Sequence, residues 1–279
     1  MKTALLQITS SDDPAENLAV VTKMLEQAKD QGAGYVLTPE VTNCVSGSRT
    51  HQNEVLRPEA EDSFLKGIQD VAARLGLWVT IGSLALKSND PDGRFVNRQF
   101  LIAPSGEIKA RYDKIHMFDV TVSETETYHE SKGYRPGETA VAAETPFAKI
   151  GLSICYDIRF PHLHRALAKA GAEVLTIPSA FSTVTGAAHW HPLLQARAIE
   201  TGCWVLAPAQ TGTHRASRGP TRKTYGRSLI VSPWGEVMAD AGTESGMIFI
   251  DLDREKVAEA RRRIPSLTHD KDFDGPERK

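Results

Sequence analysis

Between Thr3 and Leu84, short β-rich runs alternate with segments of helical period, and this alternation restricts the chain more than any other feature of it. TALLQIT alternates like a strand, Asp12 or Asp13 caps the next segment, and Leu18, Val21, Leu25 and Ala28 then recur on one helical face. Gly32 and Gly34 end that helix. YVLT is a short strand that delivers Glu40, and Phe64, Ile68, Val71 and Leu75 mark a second helix before the strand LWVTIGSL. The order is βαβαβ. Two later segments, FVNRQFLIAPSGEIKARYDK and TYGRSLIVSPWGEVMAD, each place a Pro-and-Gly turn between two β-rich runs and read as hairpins. Together these imply an α/β fold built on a mixed sheet, with helices on one face and a second face still to be covered. With no fixed repeat and no low-complexity linker, residues 1–279 read as one domain with a polar, extended tail from about residue 264.

A formal net charge of -2 gives the chain no general pull toward nucleic acid or an anionic membrane. No run of eighteen apolar residues is present, and the apolar stretch at the N-terminus is too short for a signal segment, so no membrane span or export is expected. Cys44, Cys155 and Cys203 form no even framework and no zinc spacing, which points to a reducing cytoplasm. PHLHR and HWHP each hold a His-X-His pair, but both read as helix starts, where residues two apart do not share a face; no metal is expected. THRASRGPTRK, residues 213–223, carries five basic side chains in eleven and reads as a loop that guides an anionic substrate or as a solvated loop.

GLSICYDIRFP, residues 151–161, sets Cys155 where a short apolar strand breaks toward a helix marked by Pro161, Leu163, Leu167 and Ala170. Such a turn exposes its residue beside the free N–H groups of a helix start, which suits a nucleophile; packing in the core is the alternative, and this stretch leaves both open. LTPE ends a strand with Glu40, RYDKIHMFD offers Lys114 after a hairpin strand, and Glu130 lies in the longest stretch without regular pattern, residues 119–145. Acyl transfer by a thiol needs these types: an ammonium to lower the thiol pKa and face the oxyanion, and a carboxylate to take the proton.

LTPE, YDKIHMFD, YHES with YRPGE, and GLSICYDIRFP, in that order, resemble the carbon-nitrogen hydrolases of the nitrilase superfamily. PSAF, GAAHW, QARAIE, APAQTGTH and YGRSLIVSPWGEV extend the similarity over nearly the whole chain. The resemblance implies an α-β-β-α sandwich that dimerises, with a second sheet on the open face. It implies Cys155 as nucleophile, Glu40 as general base, Lys114 as stabiliser of the oxyanion with the backbone N–H of Tyr156, and Glu130 as a second, positioning carboxylate. No metal or organic cofactor is implied. CYDIRFP, PSAF, GAAHW and RAIET are most similar to the branch of the deaminated glutathione amidases, with the omega-amidases as neighbours. That points to a small linear ω-amide carrying carboxylates, for which Arg159, Arg197 and Arg227 are candidate partners. Arg227 and Thr211 depart from the histidine and cysteine usual in this branch, and both are expected near the substrate pocket. Phe160, Phe181 and Trp190 are expected at a dimer surface.

Overall fold

Strand alternation settles which side chains face which layer. In the computed structural model, which describes residues 1–124 and 126–276, Leu5, Tyr35 and Leu37 point toward a second sheet, while Ala4, Leu6 and Val36 on the same strands point toward helices. The first sheet has six strands in the order Gly246–Asp251, Lys2–Gln7, Tyr35–Leu37, Trp78–Lys87, Phe95–Ile102 and Ile108–Asp113. Its three central strands are parallel and its outer pairings antiparallel. The second sheet repeats the plan with Val237–Asp240, Leu229–Val231, Trp204–Ala207, Val174–Thr176, Lys149–Leu152 and Val141–Glu144, again parallel at its centre.

Helices Pro14–Asp30 and Ser63–Leu75 cover the outer face of the first sheet, where Val21, Leu25, Phe64 and Ile68 join Ala4, Val36 and Val79 in one core. The first helix starts at Asp13, whose carboxylate accepts from the N–H groups of Ala15 and Glu16. On the second sheet lie Pro161–Lys169 and Thr183–Thr201, burying Leu163, Leu167, Trp190 and Leu194. That second core also takes Leu5, Leu37 and Leu101 from the first sheet and Ile150, Leu152 and Leu206 from the second, so the two sheets pack face to face. The layers are α-β-β-α, and the open face inferred from sequence is covered by the second sheet.

Four local expectations are corrected. Residues 119–145 are not patternless: they form the hairpin Asp119–Ser123 with Glu126–His129, a 3-10 turn at Glu130–Lys132 and the strand Val141–Glu144. One face of the hairpin is half-buried through Val120, Val122 and Tyr128, an alternation only a few residues long. HWHP lies inside the helix Thr183–Thr201, with Pro192 in its interior, and only PHLHR opens a helix. Phe181 and Trp190 are buried within the single chain and only Phe160 is partly open, because Trp190 donates Nε1–H to Arg227 O and packs on Phe181. Beyond the helix Arg254–Arg263, the tail is tied back by a 3-10 turn at Ser266–Thr268 and by Asp270, which pairs with Arg165 and Lys169; residues 277–279 of the expected tail lie outside the described residues.

Candidate active site

Three strand ends converge at one edge of the sandwich. Glu40 follows Tyr35–Leu37 by three residues, Lys114 follows Ile108–Asp113 directly, and Cys155 follows Lys149–Leu152 by three. Glu130 comes from the turn after the hairpin at residues 119–129. All four line a cavity of about 240 Å³. Lys114 Nζ donates to Glu40 Oε1 at 3.0 Å and to both oxygens of Glu130 at 2.9 Å. Glu40 Oε1 also accepts from Asn97 Nδ2 at 2.9 Å, and its Oε2 from the Ala180 N–H at 2.8 Å. The Phe118 N–H fixes Glu130 Oε2 at 2.6 Å.

The backbone is shaped for this convergence. Among the described residues, Val41, directly after Glu40, and Cys155 are two of three non-glycine residues at positive φ, at 46° and 49°. Gly82 makes the approach possible, because a Cβ there would stand 2.0 Å from Thr38 O and 2.4 Å from Pro39 O, on the segment that presents Glu40. Cys155 itself opens a 3-10 turn, Cys155–Arg159, ahead of the helix Pro161–Lys169. The turn does not expose it as expected: the residue is 8% accessible, at the floor of the cavity.

Charge in the site is divided by burial. Burial pushes the Glu40 carboxyl up, but Lys114 and Arg222 pull harder, and its pKa stands below the ordinary value. Burial likewise disfavours charge on Lys114, yet Glu130 and Glu40 hold its ammonium protonated well above the usual lysine range. Cys155 goes the other way from the sequence reading: burial and the Glu40 charge outweigh Lys114, and the thiol pKa is raised. The resting site is therefore a neutral thiol beside an ionised carboxylate and an ammonium. Among the described residues the Tyr156 N–H, at the start of the turn, meets no protein acceptor.

The expected carboxylate partners do not line the cavity. Arg197 is buried under its own helix, with Nε donating to Ile158 O at 2.7 Å and Nη1 pairing with Glu200. Arg227 pairs with Asp240 at 2.7 Å on the surface, and Thr211 is buried with its hydroxyl on Thr243 O. Arg159 reaches His189 Nδ1 at 3.2 Å, against the rings of Tyr156 and Phe181. In each case a local acceptor or ring holds the side chain away from the cavity. The arginine that does line it is Arg222, from the strand Arg222–Tyr225. It belongs to the basic segment 213–223, which identified the loop but not the residue. Among the described residues no three His, Cys, Asp or Glu side chains are grouped as metal ligands.

A layered sandwich whose sheet edges bring a thiol, an ammonium and two carboxylates into one pocket defines a hydrolase of the nitrilase class. The chain belongs to the carbon-nitrogen hydrolase family, whose sequence pattern matches residues 2–262, and it acts on carbon–nitrogen bonds other than peptide bonds. Deaminated glutathione amidase from Yersinia enterocolitica is 35% identical over 269 residues, covering 96% of this chain and 92% of its own. The protein of the same name from Synechocystis sp. is 39% identical over 268 residues, 95% of this chain and 96% of its own. Among solved structures, the C. elegans NitFhit protein superposes with a TM-score of 0.89 at 33% identity, over 96% of this chain and 64% of that longer one. Saccharomyces cerevisiae Nit3, a member of branch 10 of the nitrilase superfamily, gives 0.83 at 28% identity, over 95% of this chain and 94% of its own.

Proposed function

We propose that the protein hydrolyses deaminated glutathione to α-ketoglutarate and cysteinylglycine through a thioester on Cys155. The observation that carries the chemistry is the Glu40 carboxylate, kept ionised by Lys114 beside a neutral thiol. The substrate follows from relatives bearing that name at 35% and 39% identity over nearly the full chain.

In this reading Glu40 takes the thiol proton as Cys155 attacks the amide carbonyl. Lys114 and the Tyr156 N–H receive the oxyanion. Glu40 then passes its proton to the departing amine, and next deprotonates the water that opens the thioester. Glu130 orients Lys114, on which both its oxygens bear. No step draws on a metal or organic cofactor. An omega-amidase acting on α-ketoglutaramate uses the same residues, and the ratio of kcat/KM for the two amides separates the readings. Both products of deaminated glutathione are assayed, since its cleavage releases no ammonia. Absence of both at substrate millimolar overturns the assignment.

A homodimer in the cytoplasm accompanies this reading. Its support is the exposed apolar side chains Ile199, Trp234, Val237 and Met238, each 39–57% exposed, on the helix Thr183–Thr201 and the adjoining hairpin. Three free cysteines favour a reducing compartment, and no helix among the described residues is long and apolar enough to cross a membrane. Light scattering at micromolar concentration tests the dimer; a fully active monomer there contradicts it.

A further inference from the structure

Polar capacity is left unspent mainly around the cavity. Of four buried side-chain polar atoms without a partner among the described residues, three belong to cavity-lining residues: Asn97 Oδ1, Thr185 Oγ1 and Arg222 Nε. Arg222 is the unusual one, because its guanidinium has a single protein acceptor, the Ala180 carbonyl at 2.6 Å, and no carboxylate partner among the described residues. Its charge acts on Glu40 from a distance, but its buried Nε–H has no acceptor, and leaving such a donor unpaired is costly unless an anion arrives to accept from it. The rest of the site makes that anion hard to place elsewhere. Lys114 is shared between Glu40 and Glu130, so these three groups sum to one negative charge and repel a carboxylate. Only beside Arg222 is an incoming carboxylate met by free N–H donors of positive charge.

We propose that Arg222 anchors the carboxylate on the acyl half of the substrate, the half that remains on Cys155 in the thioester, and so sets the length of acyl group accepted; this rests on the function proposed above. Position supports the choice of half. The Ala180 N–H bonds Glu40 and neighbours the Cys155 thiol, while the Ala180 carbonyl takes Arg222. One residue thus separates thiol from guanidinium, roughly 10 Å at most from covalent and hydrogen-bond lengths. In an extended five-carbon acyl group the far carboxylate lies about 5 Å from the reacting carbonyl carbon, which with the C–S bond and one hydrogen bond spans that gap. The terminal carboxylate of a dipeptide leaving half lies about 7 Å from the same carbon and overshoots it. The Tyr128 ring, 6.0 Å from the guanidinium, lines the same part of the cavity.

The test is calorimetric binding of the two product halves to the Cys155→Ala protein, with Arg, Lys or Gln at position 222. Arg222→Gln is expected to weaken α-ketoglutarate by about thirtyfold, the scale of lost hydrogen bonds to a charged group, and Arg222→Lys to recover part of that affinity. Cysteinylglycine is expected to change by less than threefold. The proposal is overturned by a loss confined to cysteinylglycine, by equal losses for both halves, by no change, or by no α-ketoglutarate binding at millimolar concentration to the protein that keeps Arg222. Turnover of deaminated glutathione by the intact enzyme is measured separately. Its absence, with Arg222-dependent α-ketoglutarate binding intact, sinks the proposed substrate and not the anchor.

Discussion

Asp157 Oδ1 accepts from both the backbone N–H of His116 at 3.0 Å and the His116 ring Nδ1 at 2.7 Å, which ties the segment after Lys114 to the turn that presents Cys155. The other oxygen, Oδ2, takes Tyr112 OH at 2.6 Å and the Ile154 N–H at 2.9 Å. Asp157 has no exposed surface, and although burial raises its pKa, these donors hold the carboxyl below the ordinary value.

Asp157→Ala leaves four donors without their acceptor in a buried site. Denaturant unfolding is expected to show a loss of about 3 kcal/mol or more, and kcat a loss as Cys155 and Lys114 drift apart. A depressed carboxyl contributes stability in full above its unfolded value of about 3.9, lost as pH falls through the lower folded value. The wild type should therefore show this acid-dependent loss below about pH 4, and the variant should lack it.

Gly82→Ala places a methyl group 2.0 Å from Thr38 O, and the segment carrying Glu40 must move. A displacement near 1 Å at a reacting group costs about a hundredfold in rate. Steady-state kinetics should show that loss in protein whose circular dichroism is unchanged; near-normal kcat would contradict the close approach described at Thr38.

How much of this was legible from sequence follows a physical line. Glu40, Lys114 and Cys155 each stand just past a strand, which made them candidates, but their burial is invisible in sequence and only the resemblance to the carbon-nitrogen hydrolases separated them from surface charges and a packed thiol. Arg222 could not be singled out, since it is one of several basic residues in a polar segment and only the distant Ala180 carbonyl fixes its guanidinium. Arg197 misled for the opposite reason: its helical position faces inward, and Ile158 O and Glu200 consume its donors. The thiol was expected to be lowered by Lys114, but sequence does not show burial, and burial with Glu40 reverses the sign. The mixed sheet was legible through strand order and the sandwich only through the resemblance, whereas the hairpin Asp119–Ser123 with Glu126–His129 has an apolar alternation, Val120 and Val122 with Tyr128, too short to stand out.

The sign of the two shifts fixes a pH profile. In the proposed reading Glu40 acts as its carboxylate, and its pKa lies below 4.5, so the acid limb of kcat/KM should fall below that pH. The thiol lies above its ordinary 9.0, so iodoacetamide alkylation of the free enzyme should stay slow through neutral pH. A thiolate titrating near pH 7 would contradict the neutral-thiol resting state.

Lys114→Met removes the ammonium between two carboxylates and, in the proposed reading, an oxyanion donor. A loss of a hundredfold or more in kcat is expected. With Lys114 gone, Glu40 loses the ammonium that favours its charged form, so the acid limb should shift upward. An unshifted limb would mean that Lys114 does not hold Glu40 ionised.

The central claim is the thioester on Cys155, and rapid-quench intact-mass spectrometry during turnover of deaminated glutathione tests it most directly. The expected result is a transient wild-type species heavier by one α-ketoglutaryl group, mapped by digestion to Cys155 and absent from folded, inactive Cys155→Ala. Turnover by folded Cys155→Ala at a rate comparable with the wild type, or an acyl adduct on another residue, would contradict it.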